Sequence, residues 1–181
     1  MLSTAVLLAA SMMVGQSEGN ATDFALLKEW ANAFTGDFIE ETTTDIAIEG
    51  VCEKGDKYEN CSSTEWIQEN VALVTKTTHK VKGKAVATGV ALIGWDAVKG
   101  AIVASYVDSL GSRLNGTITK KGDQWIVRTQ GTAGDGRKLQ TTESVRIGDG
   151  GKTYTYRSSG RVGEDELPEK TGEIKRVSKE K

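Results

Sequence analysis

Leu114-Asn115-Gly116-Thr117-Ile118-Thr119-Lys120-Lys121-Gly122-Asp123-Gln124-Trp125-Ile126-Val127-Arg128-Thr129-Gln130-Gly131 holds two alternating runs about one turn. Trp125, Val127 and Thr129 alternate with Ile126, Arg128 and Gln130, a period of two that belongs to a strand with two unlike faces. The first set is read as interior. Lys121-Gly122-Asp123 supplies the positive φ that a short hairpin needs. Similar runs recur on either side, at 37–48, 62–68, 71–81, 85–94, 101–108, 138–147, 152–159 and 171–178. Glycine-bearing turns separate them. The connections are too short for helical crossovers, so the sheet is expected to be antiparallel. A meander of nine or ten hairpin-linked strands hides its edges only by curling closed. The expected fold class is therefore all-β: an antiparallel up-and-down barrel of about nine or ten strands.

Alternation also assigns faces elsewhere. Val71, Leu73, Thr75, Thr77 and His79 share one face of their strand, and Lys76 marks the other as wet. Ala85, Ala87, Gly89, Ala91, Ile93 and Trp95 form a face of mostly small residues, with room for a ligand or for a neighbouring indole. The one helical pattern lies ahead of the strands, at 22–35. There Phe24, Leu27, Trp30 or Ala31, and Phe34 recur at three- and four-residue steps, and Gly36 can end the helix. The only proline, Pro168, is expected between the last two strands.

Composition narrows the function classes. The chain has 181 residues, 21 of them glycine, and its 23 basic and 25 acidic side chains leave a net charge of −2. Such a balance argues against a nucleic-acid binder, which carries a concentrated basic face. One histidine and two cysteines leave little material for metal or nucleophilic chemistry. Leu, Ile, Val and Phe total 39 residues, lean for a fully packed centre and suited to a polar or partly hollow barrel.

Residues 1–17 contain no charged side chain, and Leu2 to Val14 is a run of small and apolar residues. That run is too short to span a ~30 Å hydrocarbon core and has the length of a secretory signal's apolar region. The signal is placed at 1–19, although no Lys or Arg precedes the run. A hydrophobic tail or a buried helix is the other reading. Export would make the product secreted or periplasmic, with a single barrel domain at 20–178 and a charged tail at 179–181. It would also let Cys52 and Cys61 form a disulfide across the polar loop between them. Two thiols, or two ligands of an incomplete metal site, are the alternatives.

The order of the motifs resembles a known family. Leu92-Ile93-Gly94-Trp95-Asp96 is followed by Lys99-Gly100, then Val107-Asp108-Ser109-Leu110-Gly111. Gly122-Asp123-Gln124-Trp125, Asp135-Gly136-Arg137, and Gly163-Glu164 with Leu167-Pro168 come after. The set resembles the lipocalin-like, calycin-type barrel domain of exported bacterial proteins, often found behind a SnoaL-like domain. The likeness covers about residues 60–178. Phe38 stands where the family's first strand has Trp. The resemblance implies the fold and carries over no catalytic set. The isomerase-like partner domain is absent from residues 20–35, so its activity does not transfer.

His79 is the only unperturbed side chain that titrates near neutral pH. It reads as a surface histidine, with an interior or ligand-contacting one as the alternative. No Gly-x-Ser-x-Gly elbow is present, so no Ser-His-Asp unit is built on it. Asp96 and Asp108, with Gly94 and Gly111, read as a structural turn motif, since Asp bonds nearby backbone amides. Trp66, Trp95, Trp125 and Val127 read either as core or as the wall of a ligand cavity. Arg128 and Arg157 are placed on the solvent face; turned toward a cavity they would supply charge to an anionic ligand. The expectation is a barrel without metal or cofactor that binds a small apolar or amphipathic molecule without catalysis. An enzyme acting in the barrel interior, and a filled barrel serving as an envelope module, are the alternatives. No nucleic-acid partner and no membrane span of the mature chain are expected.

Overall fold

The computed structural model describes residues 21–44 and 52–177. The export signal expected at 1–19, the end of the first expected strand at 45–48 and the charged tail at 179–181 lie outside the described residues. The described chain begins with helix α1, Ala21–Phe34. Ten strands follow: β1 Gly36–Thr43, β2 Lys57–Gln68, β3 Ala72–Val81, β4 Lys84–Asp96 and β5 Ala101–Asp108. The second half contains β6 Arg113–Lys121, β7 Gln124–Thr132, β8 Lys138–Gly148, β9 Thr153–Val162 and β10 Asp165–Arg176. Each strand pairs antiparallel with the next, and β10 pairs with β1, closing the barrel.

The expected fold class is the observed one. The hairpin about Lys121-Gly122-Asp123 forms with Lys121 opposite Gln124 and Ile118 opposite Val127. Gly122 makes its turn at φ +62°. The closing seam is short by comparison, with only Phe38–Arg176 and Ile39–Lys175 in register.

α1 lies across one end of the barrel. Its Leu27, Trp30 and Ala31 are buried with Ile93, Ile102, Ile118, Trp125 and Tyr154. Trp30 meets Trp125 edge-on at 5.2 Å between ring centroids and stacks on Phe34 at 3.9 Å. Edge-to-face and offset rings are the favoured aromatic geometries, so this cluster is a specific plug as well as buried apolar area. Phe24 departs from the expected helical face and is exposed.

Arg176 locks the helix end to the barrel. Its guanidinium donates to the carbonyls of Ala33 at 2.6 Å, Thr35 at 2.5 Å and Gly151 at 2.9 Å, and to Tyr154 Oη at 2.8 Å. Helix ends leave unpaired carbonyls, and a cation is favoured there. Gly36, at φ +118°, leaves the helix directly against this group; a Cβ there would sit 2.7 Å from Arg176 Nη1.

Four expectations are corrected. Cys52 and Cys61 are not joined in a disulfide. Cys61 lies mid-strand in β2, opposite Ile39 and Thr78, so the expected loop between the cysteines is partly ladder. Cys52 precedes β2, away from that register. β2 itself begins at Lys57 instead of 62, because its inward residues there are polar and give no apolar alternation. Pro168 lies inside β10, where the register with β9 shifts between Leu167 and Lys170. A proline cannot donate to a ladder, and such an irregularity accommodates it. Ala85 faces away from Ala87: an irregularity pairs His79 with Ala87 but Lys80 with Ala85, which turns Ala85 outward.

Candidate functional site in the polar half of the lumen

The barrel interior divides into two halves. Toward α1 the inward residues are Phe38, Trp66, Leu73, Ile93, Trp95, Ile102, Ile118, Trp125, Val127 and Val145, all in or against the core. Four of the sequence candidates, Trp66, Trp95, Trp125 and Val127, therefore come together in this packed half. Trp125 is 1% exposed, while Trp66, Trp95 and Val127 are partly buried.

Away from α1 the same inward positions become polar. Glu40 follows Phe38 by two residues on β1 and is buried. Tyr156 follows Tyr154 by two on β9 and donates its hydroxyl hydrogen to Glu40 Oε1. Lys170 Nζ lies 3.5 Å from the same oxygen and 5.6 Å from the centre of the Tyr58 ring. Glu143 on β8 sits opposite Val127 and Ser158. Burial first, then the Glu40 charge, pushes its carboxyl up to about 7, and Lys170 opposes that rise. Among the described residues, no group hydrogen bonds or ion-pairs with the Glu143 carboxyl.

His79, the fifth sequence candidate, is in this half and not on the open surface. Its Nδ1 is 2.5 Å from Tyr58 Oη, and the two rings stack with centroids 6.0 Å apart. Burial lowers its pKa, while the charges of Asp108 and Glu40 pull the other way. Burial likewise pushes the Tyr58 phenol up to about 12, with Glu40 adding to it.

Two glycines shape the wall. A Cβ on Gly172 would lie 2.5 Å from Tyr156 Cε1, and one on Gly89 would lie 2.3 Å from Tyr106 Oη. The absent side chains let both tyrosine rings lie flat against the sheet, where a Cβ would push them inward. Among the described residues, Asn60 Oδ1 is buried in this half without a hydrogen-bond partner, while Thr77 hydrogen bonds with Tyr106. Asn60 is directly opposite Glu40 on one side and His79 on the other.

The turn residues serve the backbone. Asp96 Oδ1 accepts from the amides of Val98 and Lys99, each at 3.0 Å. Asp108 Oδ1 accepts from Leu110 at 3.0 Å and Ser112 at 2.9 Å. Gly111 takes φ +93° in that turn, whereas Gly94 sits within β4 itself. Arg128 and Arg157 are exposed, and Arg157 pairs with Glu169 at 2.6 Å. A groove of about 410 Å³ runs along β6–β8 and is lined mainly by polar side chains such as Asn115, Gln130 and Gln140. It contains no buried ionisable group. Among the described residues no cluster of three potential metal ligands converges, and no helix is long and apolar enough to cross a membrane.

The chain shares its fold with a solved mycobacterial structure. The crystal structure of Rv2717c from M. tuberculosis matches with a TM-score of 0.56 at 12% identity, over 83% of this chain and 96% of that one. At that identity the likeness speaks for the fold alone. No family model matches the sequence, and no curated protein matches it.

Sequence reasoning missed Glu40, Tyr58, Tyr106, Glu143, Tyr156 and Lys170. A signal was present for four of them. Glu40, Glu143 and Tyr156 each stand two residues from a buried apolar or aromatic residue, and Tyr106 stands four from Ile102, on the inward phase of the strand.

Proposed function

We propose that this chain is a lipocalin-like barrel that binds a small amphipathic molecule in the polar half of its lumen, without catalysis. The observation that carries this reading is the convergence of Glu40, Glu143, Tyr156, Tyr58, His79 and Lys170 inside the wall. Folding alone gives no reason to bury such groups, because an unpaired ionisable side chain costs free energy when desolvated. Clusters of buried groups with shifted pKa values concentrate at functional sites. Apolar Val127 and Leu114 border the polar half, so a ligand there meets both kinds of surface. The packed aromatic half supports a polar or amphipathic ligand over a purely apolar one.

In the same reading, residues 1–19 direct export, the product is secreted or periplasmic, and 20–178 form the single barrel domain ahead of a short charged tail. The motif order of a calycin-type barrel supports the family assignment. Native mass spectrometry of the protein purified from its own compartment tests the binding role. A retained small molecule supports it. A barrel that repeatedly emerges bare, even after exposure to its own cell extract, overturns it.

One observation favours a second reading. A carboxyl that ionises near neutral pH and a Tyr–His pair are suited to general acid–base catalysis. An enzyme would return an altered molecule, whereas a binding protein returns the same one.

A further inference from the structure

Resting on the binding role above, we infer that the ligand is an organic cation, an amphipathic amine whose ammonium group sits between Glu40 and Glu143. Two independent deficits in the lumen point the same way.

The first is charge. Asp108 is held in the turn by the amides of Leu110 and Ser112 and acts on His79 and Tyr106, so the carboxyls that face one another across the lumen are Glu40 and Glu143. Lys170 is the only lysine or arginine that reaches them among the described residues, and it pairs with Glu40. His79 adds little positive charge at neutral pH, because burial disfavours its charged form. The groups facing Glu143 from the elements around it are Glu40 on β1, Lys170 on β10 and Tyr156 on β9. Tyr58 on β2 neighbours Tyr156 and lies beneath the Lys170 ammonium. Once Glu143 is ionised, its pair with Glu40 has one cation for two carboxylates.

The second deficit is in hydrogen-bond donors. Asn60 Oδ1 is a buried acceptor with no donor among the described residues. Glu143 accepts no hydrogen bond from a described residue. Buried acceptors without donors cost free energy until something supplies the hydrogens. A primary ammonium offers three donors and one positive charge. An alcohol supplies a donor without the charge, and a carboxylate aggravates both deficits. The aliphatic part of such an amine would lie against Val127 and Leu114.

The site holds a proton where the ligand's charge will go. Below about pH 7 the Glu143 carboxyl is protonated, and cation binding releases that proton. Isothermal titration of the whole chain with octylammonium, octanol and octanoate tests the inference, each across about pH 5.5 to 8.5. Octylammonium is expected to bind at least about tenfold more tightly than the other two. Its affinity should rise by up to about tenfold per pH unit below about 7 and then level off, with close to one proton released per ligand on the acid side. Octanol binding should not change with pH. Glu143→Gln should flatten the pH dependence and weaken octylammonium at high pH, while circular dichroism confirms the barrel. The wild-type pH profile stands as evidence even if that variant fails to fold. Octanol or octanoate binding as tightly as the amine overturns the cation inference and leaves the binding role in place. Binding of none of the three overturns the inference, and a bare protein in the native mass spectrum then overturns the role as well.

Discussion

Lys170 Nζ lies 3.5 Å from Glu40 Oε1, across the seam at which the barrel closes. That ion pair stands where β1 and β10 have already stopped pairing through their backbones, since their register ends at Ile39–Lys175. It also leaves Glu143 without an ion-pair partner among the described residues. The electrostatics of the lumen follow from this unequal division of one lysine between two carboxyls.

The stability of the protein should therefore fall as pH rises through neutrality. Glu143 binds its proton more tightly in the folded state than in the unfolded chain. The stability it contributes is full below the ordinary glutamate pKa of 4.5 and is lost as pH climbs through about 7. Full ionisation of a carboxyl with such a shift costs about 3 kcal/mol. Urea unfolding should show Glu143→Gln near the wild type at about pH 5 and more stable by about 2–3 kcal/mol at about pH 8.5. Equal stability of the two at high pH would contradict this.

His79 should titrate below the ordinary histidine value. Burial disfavours its cation, and the Asp108 and Glu40 charges offset that only in part. Because the folded-state pKa is depressed, the corresponding stability is present above 6.5 and is lost as pH falls through the folded value. Proton NMR of this lone histidine reads the midpoint directly, and a midpoint above 6.5 would place the ring in a different environment.

Arg176→Ala should loosen α1 from the barrel. It removes three carbonyl contacts and the bond to Tyr154 Oη at one stroke. A hydrogen bond to a charged group contributes about 1.5–3 kcal/mol. These bonds share one group, so the expected loss is about 2–4 kcal/mol, with faster amide exchange in the last turn of the helix. Arg176→Lys should recover little, because one ammonium cannot reach all four acceptors.

Gly172→Ala should displace the Tyr156 ring and break its bond to Glu40. A Cβ 2.5 Å from a ring carbon forces a shift. Overpacking of this kind costs about 1–3 kcal/mol. Gly89→Ala should act on Tyr106 in the same way. Near-ultraviolet circular dichroism and urea unfolding measure both variants, and unchanged spectra with unchanged stability would mean the rings do not lie where described.

Much of the wall was legible in the sequence, because alternation and glycine turns are local signals. Trp125, Val127 and Thr129 face inward as their spacing implies, and Leu73, Thr75 and Thr77 do likewise. Ala85 was misplaced because an irregularity in β4 changes the phase without leaving a mark in the residue types. The beginning of β2 was missed because Tyr58, Asn60 and Ser62 face a polar interior, where the usual contrast between faces vanishes. The same effect hid the candidate site. Glu40 and Glu143 look like solvent residues until closure of the barrel brings strands more than 100 residues apart against one another. His79 was recognisable as chemically distinctive, yet only the fold supplies its partner Tyr58.

The most direct test of the central claim is carbon-13 NMR of the protein labelled at its glutamate carboxyls and tyrosine rings, titrated with octylammonium near neutral pH. Saturable shifts are expected at Glu40, Glu143, Tyr58 and Tyr156, with a fall in the Glu143 midpoint from about 7 and no shift at Tyr154 beneath α1. Shifts confined to glutamates on the outer wall, with the Glu143 midpoint unmoved, would contradict it.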